Sequence, residues 1–184
     1  MRYMGARECP LCLCSETALL HSQRDKVGVR DFYRCGVCDL VFVPSEFHIG
    51  PEAQLKRYRS HNNDPDDLEY RRFLSRLLDE LRPHLVQGAD ALDYGAGPGP
   101  ALAAMMRDEG LRVRTYDPFF HPVRSALEER YSFVTCTETA EHFTTPRRDF
   151  ETLDAVLKAP GWLGVMTGML DGWIEFPDWY YHRD

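Results

Sequence analysis

Three groups of residues in this 184-residue chain have the types and spacing to do chemistry. The first is an acid leading into a glycine turn, Asp93, Gly95, Gly97 and Gly99, with a second acid, Asp117, 22 residues beyond the first glycine. Glycines at alternate positions let a ligand approach backbone N–H groups with no side chain in the way. An acid about 20 residues further on stands where a carboxylate can meet a ribose, and Asp117 can accept from both hydroxyls. Together they describe a pocket for a nucleoside-bearing cofactor.

The second group is Glu138, Glu141 and His142, an E-x-x-E-H run. The run starts a helix or tight turn, and helical spacing at i, i+3 and i+4 would bring all three to one side. Two carboxylates and an imidazole suit magnesium or a similar divalent ion that polarises an acceptor oxygen. His142 with Glu141 could instead remove a proton as an acid–base pair, or the run could simply form a substrate wall or a helix start. The third group is cysteine: Cys9 with Cys12 and Cys35 with Cys38, 22 residues apart. Two such knuckles can place four thiolates round one tetrahedral zinc. Cys14 is close enough to replace Cys12, although the symmetry of the pairs favours Cys12. With all four positions filled, the zinc is expected to be structural. Disulfides would need an oxidising compartment, which nothing in the sequence indicates. Cys136 reads as a buried strand residue.

The elements that must position these groups follow from periodicity. A buried strand is expected over residues 91–94, a helix over 101–110 ending at Gly110, and a second strand over 113–116 that delivers Asp117. Residues 131–136 form the next strand, putting Thr137 and Glu138 at its carboxyl end, beside the glycine turn in a doubly wound sheet. A helix over 150–157 and a strand over 162–167 follow. In the cysteine region, strands at 18–21 and 32–34 flank a polar turn containing Gly28, and 39–44 reads as an apolar strand. Residues 66–82 predict a helix capped by Asp66 or Asp67, with Leu68, Phe73, Leu74, Leu77, Leu78 and Leu81 on one side. Tyr58, His61, Asn62 and Asn63 cluster just ahead of it.

The glycine spacing separates cofactor classes. A dinucleotide fold needs G-x-G-x-x-G, whereas this chain has G-x-G-x-G. The segment resembles motif I of the class I S-adenosylmethionine-dependent methyltransferases, matched at Asp93, Gly95, Gly97, Gly99 and Asp117. The resemblance implies an α/β, Rossmann-like sheet and a cofactor site at those residues together with Tyr94, Pro118, Phe119, Thr137 and Glu138. His142 and Glu141 become the catalytic pair. The E-x-x-E-H run also resembles that of the ubiquinone-pathway O-methyltransferases and the small-RNA 2′-O-methyltransferases, where it can hold a divalent metal, here at Glu138, Glu141 and His142. The paired cysteines, Cys9, Cys12, Cys35 and Cys38, and the apolar run that follows resemble the zinc-binding head before some bacterial methyltransferase domains. Only 13 residues separate Asp117 from Tyr131, so the family's third strand should be absent and the strand order 2-1-4-5. Phe119 and Phe120 are then candidates to pack on the adenine, and the segment around Tyr58 and His61 is a candidate lid. The family's final strands are expected to be missing, and His182 is expected to face the E-x-x-E-H cluster.

Composition bounds the rest. The chain is 43% hydrophobic and 12% aromatic, as a packed globule requires. Its net charge of −7 is concentrated after residue 90, while the first 50 residues are neutral, which disfavours a nucleic-acid substrate. No apolar run approaches about 20 residues and no signal peptide opens the sequence, so the sequence points to a cytoplasmic protein with no membrane partner. The expected organisation is a zinc-binding, zinc-ribbon-like module at 1–50, a helical connector and lid at 51–88, and a methyltransferase domain at 89–184. The expected function is methyl transfer from S-adenosylmethionine to a small-molecule acceptor. The alternatives are an RNA methyltransferase guided by the zinc module and a non-enzymatic S-adenosylmethionine-binding protein. Oligomeric state leaves no signal in the sequence.

Overall fold

The structure is a computed structural model that describes residues 7–25, 28–59, 63–170, 172 and 174–183. Its first part is an antiparallel hairpin, β1 (Thr17–Asp25) on β2 (Gly28–Cys35), with a short β3 (Val41–Phe42) added to β2. The hairpin is longer than the apolar residues alone predict, because main-chain pairing runs from Thr17 opposite Cys35 to Asp25 opposite Gly28. Conversely, β3 is shorter than the apolar run at 39–44. Asp39 adopts φ 60°, outside the strand region, and Pro44 has no N–H to offer a ladder.

Two helices connect this head to the main sheet. Residues 51–58 form α1 (Pro51–Tyr58), which the polar composition concealed; its start carries proline at a position where the missing N–H costs nothing. Helix α2 (Leu68–Leu81) begins where Asp67 accepts hydrogen bonds from the N–H groups of Glu69 and Tyr70 at 2.8 and 3.2 Å. Leu74, Leu78 and Leu81 are buried against the sheet, but Leu68 is 75% exposed, contrary to its expected place on the apolar face. It lies six residues before Leu74, about 120° round a helix of about 3.6 residues per turn.

The main sheet follows in the order the sequence predicted. β4 (Asp90–Tyr94), α3 (Ala101–Asp108), β5 (Arg112–Tyr116), β6 (Tyr131–Thr137), α4 (Pro146–Val156) and β7 (Leu157–Met166) give a sheet ordered β5-β4-β6-β7, every pair parallel. This is the 2-1-4-5 arrangement. Between β5 and β6 the chain makes a single 3₁₀ turn, Arg124–Leu127. Helix α4 starts earlier than its apolar residues suggested because Pro146 opens it.

Alternation along β6 divides the core in two. Phe133 packs with Leu74, Leu78, Leu102 and Met106 on the α2/α3 side, whereas Val134 and Cys136 pack with Leu92, Leu153 and Val156 on the α4 side. The head is joined to the rest through side chains as well as chain connectivity. Phe32 of β2 packs on Phe176 with ring centroids 4.8 Å apart, and Arg147 of α4 donates to the Leu11 carbonyl at 3.4 Å. Among the described residues, no helix is long and apolar enough to cross a membrane. Leu78 is 1% exposed, so Leu78→Ala should cost about 2–5 kcal/mol, read as a lower urea midpoint; a loss under about 1 kcal/mol would mean that the core is not packed as described.

Candidate functional site

The glycine turn closes the carboxyl end of β4, and each of its glycines answers a different constraint. Gly95 has φ 76°, and a Cβ there would overlap the side chain of Thr139. On Gly99, a Cβ would overlap the backbone carbonyl of Asn63. Gly97 has φ 64°, but its surroundings are open, the nearest atom to a Cβ being Asn63 Nδ2 at 4.0 Å. The first and third positions are fixed by protein packing, and the second leaves room for a ligand.

Asp117 and Asp93 take unlike positions around that turn. At the end of β5, the Asp117 Oδ2 accepts from Gly97 N–H at 3.0 Å, and Oδ1 accepts from Phe119 and Phe120 N–H at 2.8 and 3.0 Å. Asp93 lies beneath the turn, 4% exposed. It accepts from Thr135 Oγ1 of β6 at 2.8 Å and from the backbone N–H of Ala103 in α3. Burial pushes its carboxyl up to about 6, against those hydrogen bonds and with Asp117 adding repulsion. Tyr94 turns its side chain into the α4-side core, where its hydroxyl donates to Asp149 at 3.0 Å. Burial raises its pKa. Only the Tyr94 backbone remains at the turn.

Pro118 is exposed, and Phe119 lies half-buried with its ring 5.6 Å from that of Tyr58. Tyr58 also meets His142 edge-on at 5.2 Å, so α1 bridges the two candidate regions. Asn63 covers Gly99 and donates to the Tyr70 hydroxyl at 2.8 Å. His61 and Asn62, the other expected lid residues, lie outside the described residues.

Of the helix or tight turn that could follow β6, the structure has the tight turn. Glu138 has φ 48° and only Ala140–His142 form a 3₁₀ turn, so the i, i+3, i+4 relation is lost. Glu138 Oε2 accepts from the Tyr181 hydroxyl at 2.7 Å, Glu141 Oε2 accepts from Thr167 Oγ1 at 3.0 Å, and His142 packs on Tyr58. The structure therefore does not assemble Glu138, Glu141 and His142 into a metal-ligand set. Thr137, at the end of β6, has a buried Oγ1 that makes no hydrogen bond. Beside His142 opens a cavity of about 440 Å³, lined also by Glu141, His182, α1 and the cysteine head. His182 thus shares a cavity with Glu141 and His142, as the sequence suggested.

Among the described residues the group arranged to hold a metal is Cys9, Cys12, Cys35 and Cys38, whose sulfurs all lie within 4.8 Å of one another. The Cys9–Cys38 and Cys12–Cys35 sulfur separations are 3.6 and 3.5 Å. Zn–S bonds of about 2.3 Å at tetrahedral angles imply sulfurs about 3.8 Å apart, so the cluster fits a zinc-binding module. Both knuckles have the same backbone wiring. Leu13 and Asp39 N–H donate to the Cys9 and Cys35 carbonyls, and each is left-handed, with φ 62° and 60°. Cys14 Sγ instead accepts from Glu16 N–H at 3.3 Å. Backbone N–H groups of Cys38 and Val37 bring the Cys35 thiol down to about 7, whereas burial pushes Cys38 up to about 12.

Sequence reasoning missed Thr135 and Thr139. The first pins Asp93, and the second fills the space beside Gly95 while donating to its carbonyl at 3.2 Å. Each reads as an ordinary β-branched residue near a strand. Their partners lie more than 40 residues away in sequence, beyond the reach of any local pattern.

Residues 67–184 match the family described as a methyltransferase domain, and the chain belongs to that family. Two solved structures are similar: a SAM-dependent methyltransferase from Thiobacillus denitrificans and another from Geobacter sulfurreducens, each in complex with S-adenosyl-L-homocysteine. Each is 18% identical with a TM-score of 0.40, over 64% and 63% of this chain respectively. This chain spans 55% of the length of each. No curated protein matches it significantly.

The buried Asp93 generates a pH dependence. Its folded carboxyl holds the proton more tightly than the ordinary value of 3.8, so the stability it contributes is full below that value and is lost as pH rises through about 6. Asp93→Asn retains an acceptor for Thr135 and should remove about 2 kcal/mol of stability loss between pH 4 and 7. Urea titrations of both proteins at the two pH values test this; parallel pH profiles would refute a protonation change at Asp93.

Proposed function

We propose that this protein transfers a methyl group from S-adenosylmethionine to a small-molecule acceptor. The observation that carries the proposal is the open backbone at Gly97 next to the buried Asp117 carboxylate, within a methyltransferase-family domain. These residues fit the cofactor. The space over Gly97 admits close approach, and three backbone N–H groups leave the Asp117 carboxylate further lone-pair capacity for a ribose hydroxyl.

When bound, S-adenosylmethionine supplies a methyl group already activated on a sulfonium. The work left to the chain is to orient the acceptor, exclude water and receive a proton. Asp117 and the glycine turn hold the nucleoside, and Phe119 with Tyr58 offers an aromatic surface beside it. Asp93 supports the turn from below. His142 takes the acceptor proton from its position against Tyr58, and Glu141, fixed by Thr167, adds negative charge next to it in the chain. In the head, zinc at the four cysteines would act structurally, its charge permitting four thiolates to pack together.

Calorimetry tests the cofactor reading. S-adenosylmethionine and S-adenosylhomocysteine should bind the intact chain, and Asp117→Ala should weaken both at least tenfold. His142→Ala should keep cofactor affinity while losing methyl transfer across a panel of hydroxylated acceptors. Failure of the intact chain to bind either ligand would refute the proposal. The metal reading makes a separate demand: elemental analysis should find one zinc per chain, lost in Cys35→Ser together with a fall in Tm. An intact chain that takes up no zinc would overturn it.

A further inference from the structure

The cavity beside His142 is bounded by two parts of the protein that the proposed methyl transfer does not otherwise connect. One wall is the turn carrying Glu141 and His142; the opposite wall is the cysteine head, through β2, β3 and the segment after it. Its volume of about 440 Å³ falls in the ordinary small-ligand range of about 300–1,000 Å³. Tyr58 and His142 line it, and Tyr58 packs on Phe119, two residues after Asp117. The cavity therefore adjoins the cofactor region across a single layer of side chains.

Its lining indicates the kind of molecule it takes. Phe32, Phe42 and Phe47 come from the head, Phe143 from the turn, and Tyr58 and Trp179 from α1 and the C-terminal segment. Aromatic rings contributed by separate elements favour a flat apolar ligand through face and edge contacts. The charged residues of the lining balance, Arg7, Arg30 and Arg57 against Glu8, Glu46 and Glu141 in number, and Arg7 is paired with Glu46 at 2.5 Å. A lining without excess positive charge gives a phosphorylated ligand no net attraction.

We infer that this cavity is the acceptor site, that the cysteine head forms its selective wall, and that the acceptor is an uncharged, flat aromatic bearing a hydroxyl. The inference rests on the methyltransferase reading above. In the transfer, the acceptor oxygen bonds to the methyl carbon while the carbon–sulfur bond breaks and leaves its electron pair on sulfur. The hydroxyl proton passes to His142, and the products are a methyl ether and neutral S-adenosylhomocysteine. The head thereby gains a role that its four fully committed thiols could not supply.

The test uses the full chain and 2-naphthol as probe, titrated by fluorescence in the presence of S-adenosylhomocysteine. Phe47→Ala, in the 3₁₀ turn Ser45–Phe47, and Phe42→Ala should each weaken 2-naphthol binding at least tenfold. Their S-adenosylhomocysteine affinity, measured separately, should stay within twofold of the parent, which also reports that the catalytic domain is folded. 2-Naphthyl phosphate should bind the parent at least tenfold more weakly than 2-naphthol. The inference is overturned if 2-naphthol does not bind, if both head variants bind it as the parent does, or if the phosphate binds as tightly. Failure of S-adenosylhomocysteine to bind the parent strikes the cofactor reading instead, so the two failures are distinguishable.

Discussion

A carboxylate buried in the middle of a parallel sheet is the constraint on which this architecture turns. Asp93 is 4% exposed, and it could face water only if the first turn of α3 or the end of β6, both hydrogen-bonded to it, were moved aside. Its burial costs about 3 kcal/mol at neutral pH, from a shift of about two pKa units. In exchange, one side chain ties β4 to β6 and to α3 at the level where the backbone must open towards a ligand. Asp117 then needs only a short reach to meet Gly97 from the neighbouring strand.

The turn carrying His142 is held to the glycine turn through Thr139, and the head is held to the C-terminal segment through Phe32 on Phe176. This ordering explains how a chain with a four-stranded sheet can still enclose a cavity. α4 and the 3₁₀ turn before it bring His142 to the carboxyl end of the sheet, and α1 lays Tyr58 between His142 and Phe119. The cysteine head closes the far side. Each layer positions the next, from a buried acid to a glycine turn to an imidazole to an aromatic wall.

Much of this was legible in the sequence because the signals were local. The acid–glycine–acid spacing placed β4, the turn and β5, and the two cysteine pairs placed the knuckles. The 13 residues between Asp117 and Tyr131 were too few for another strand and its helices, and removing that strand from the order implied by the methyltransferase resemblance left 2-1-4-5. The E-x-x-E-H run left a helix and a tight turn equally open, and the backbone at Glu138 decides for the turn, because φ is not written in residue types that tolerate several conformations. Leu68 misled because a helical face is set by angle as well as composition. Tyr94 adjoins the glycines in sequence, but strand alternation sends its ring to the other core. The cavity wall formed by Phe32, Phe42 and Phe47 was illegible, since no local pattern says which surface of the head meets the sheet.

The contact between Gly95 and Thr139 bears on how such a chain can drift over generations. Gly95 is closed to other residues on two independent grounds, a left-handed backbone and a neighbour occupying the space of a Cβ. Shrinking Thr139 would relieve only the second, so no single compensating change reopens the position. Gly97 carries the backbone constraint with no protein neighbour in the way, and under the proposed function a side chain there would enter the space through which the cofactor approaches. The two glycines are therefore held for different reasons within one short turn, Gly95 by the protein around it and Gly97 by its backbone and by the ligand proposed to lie over it.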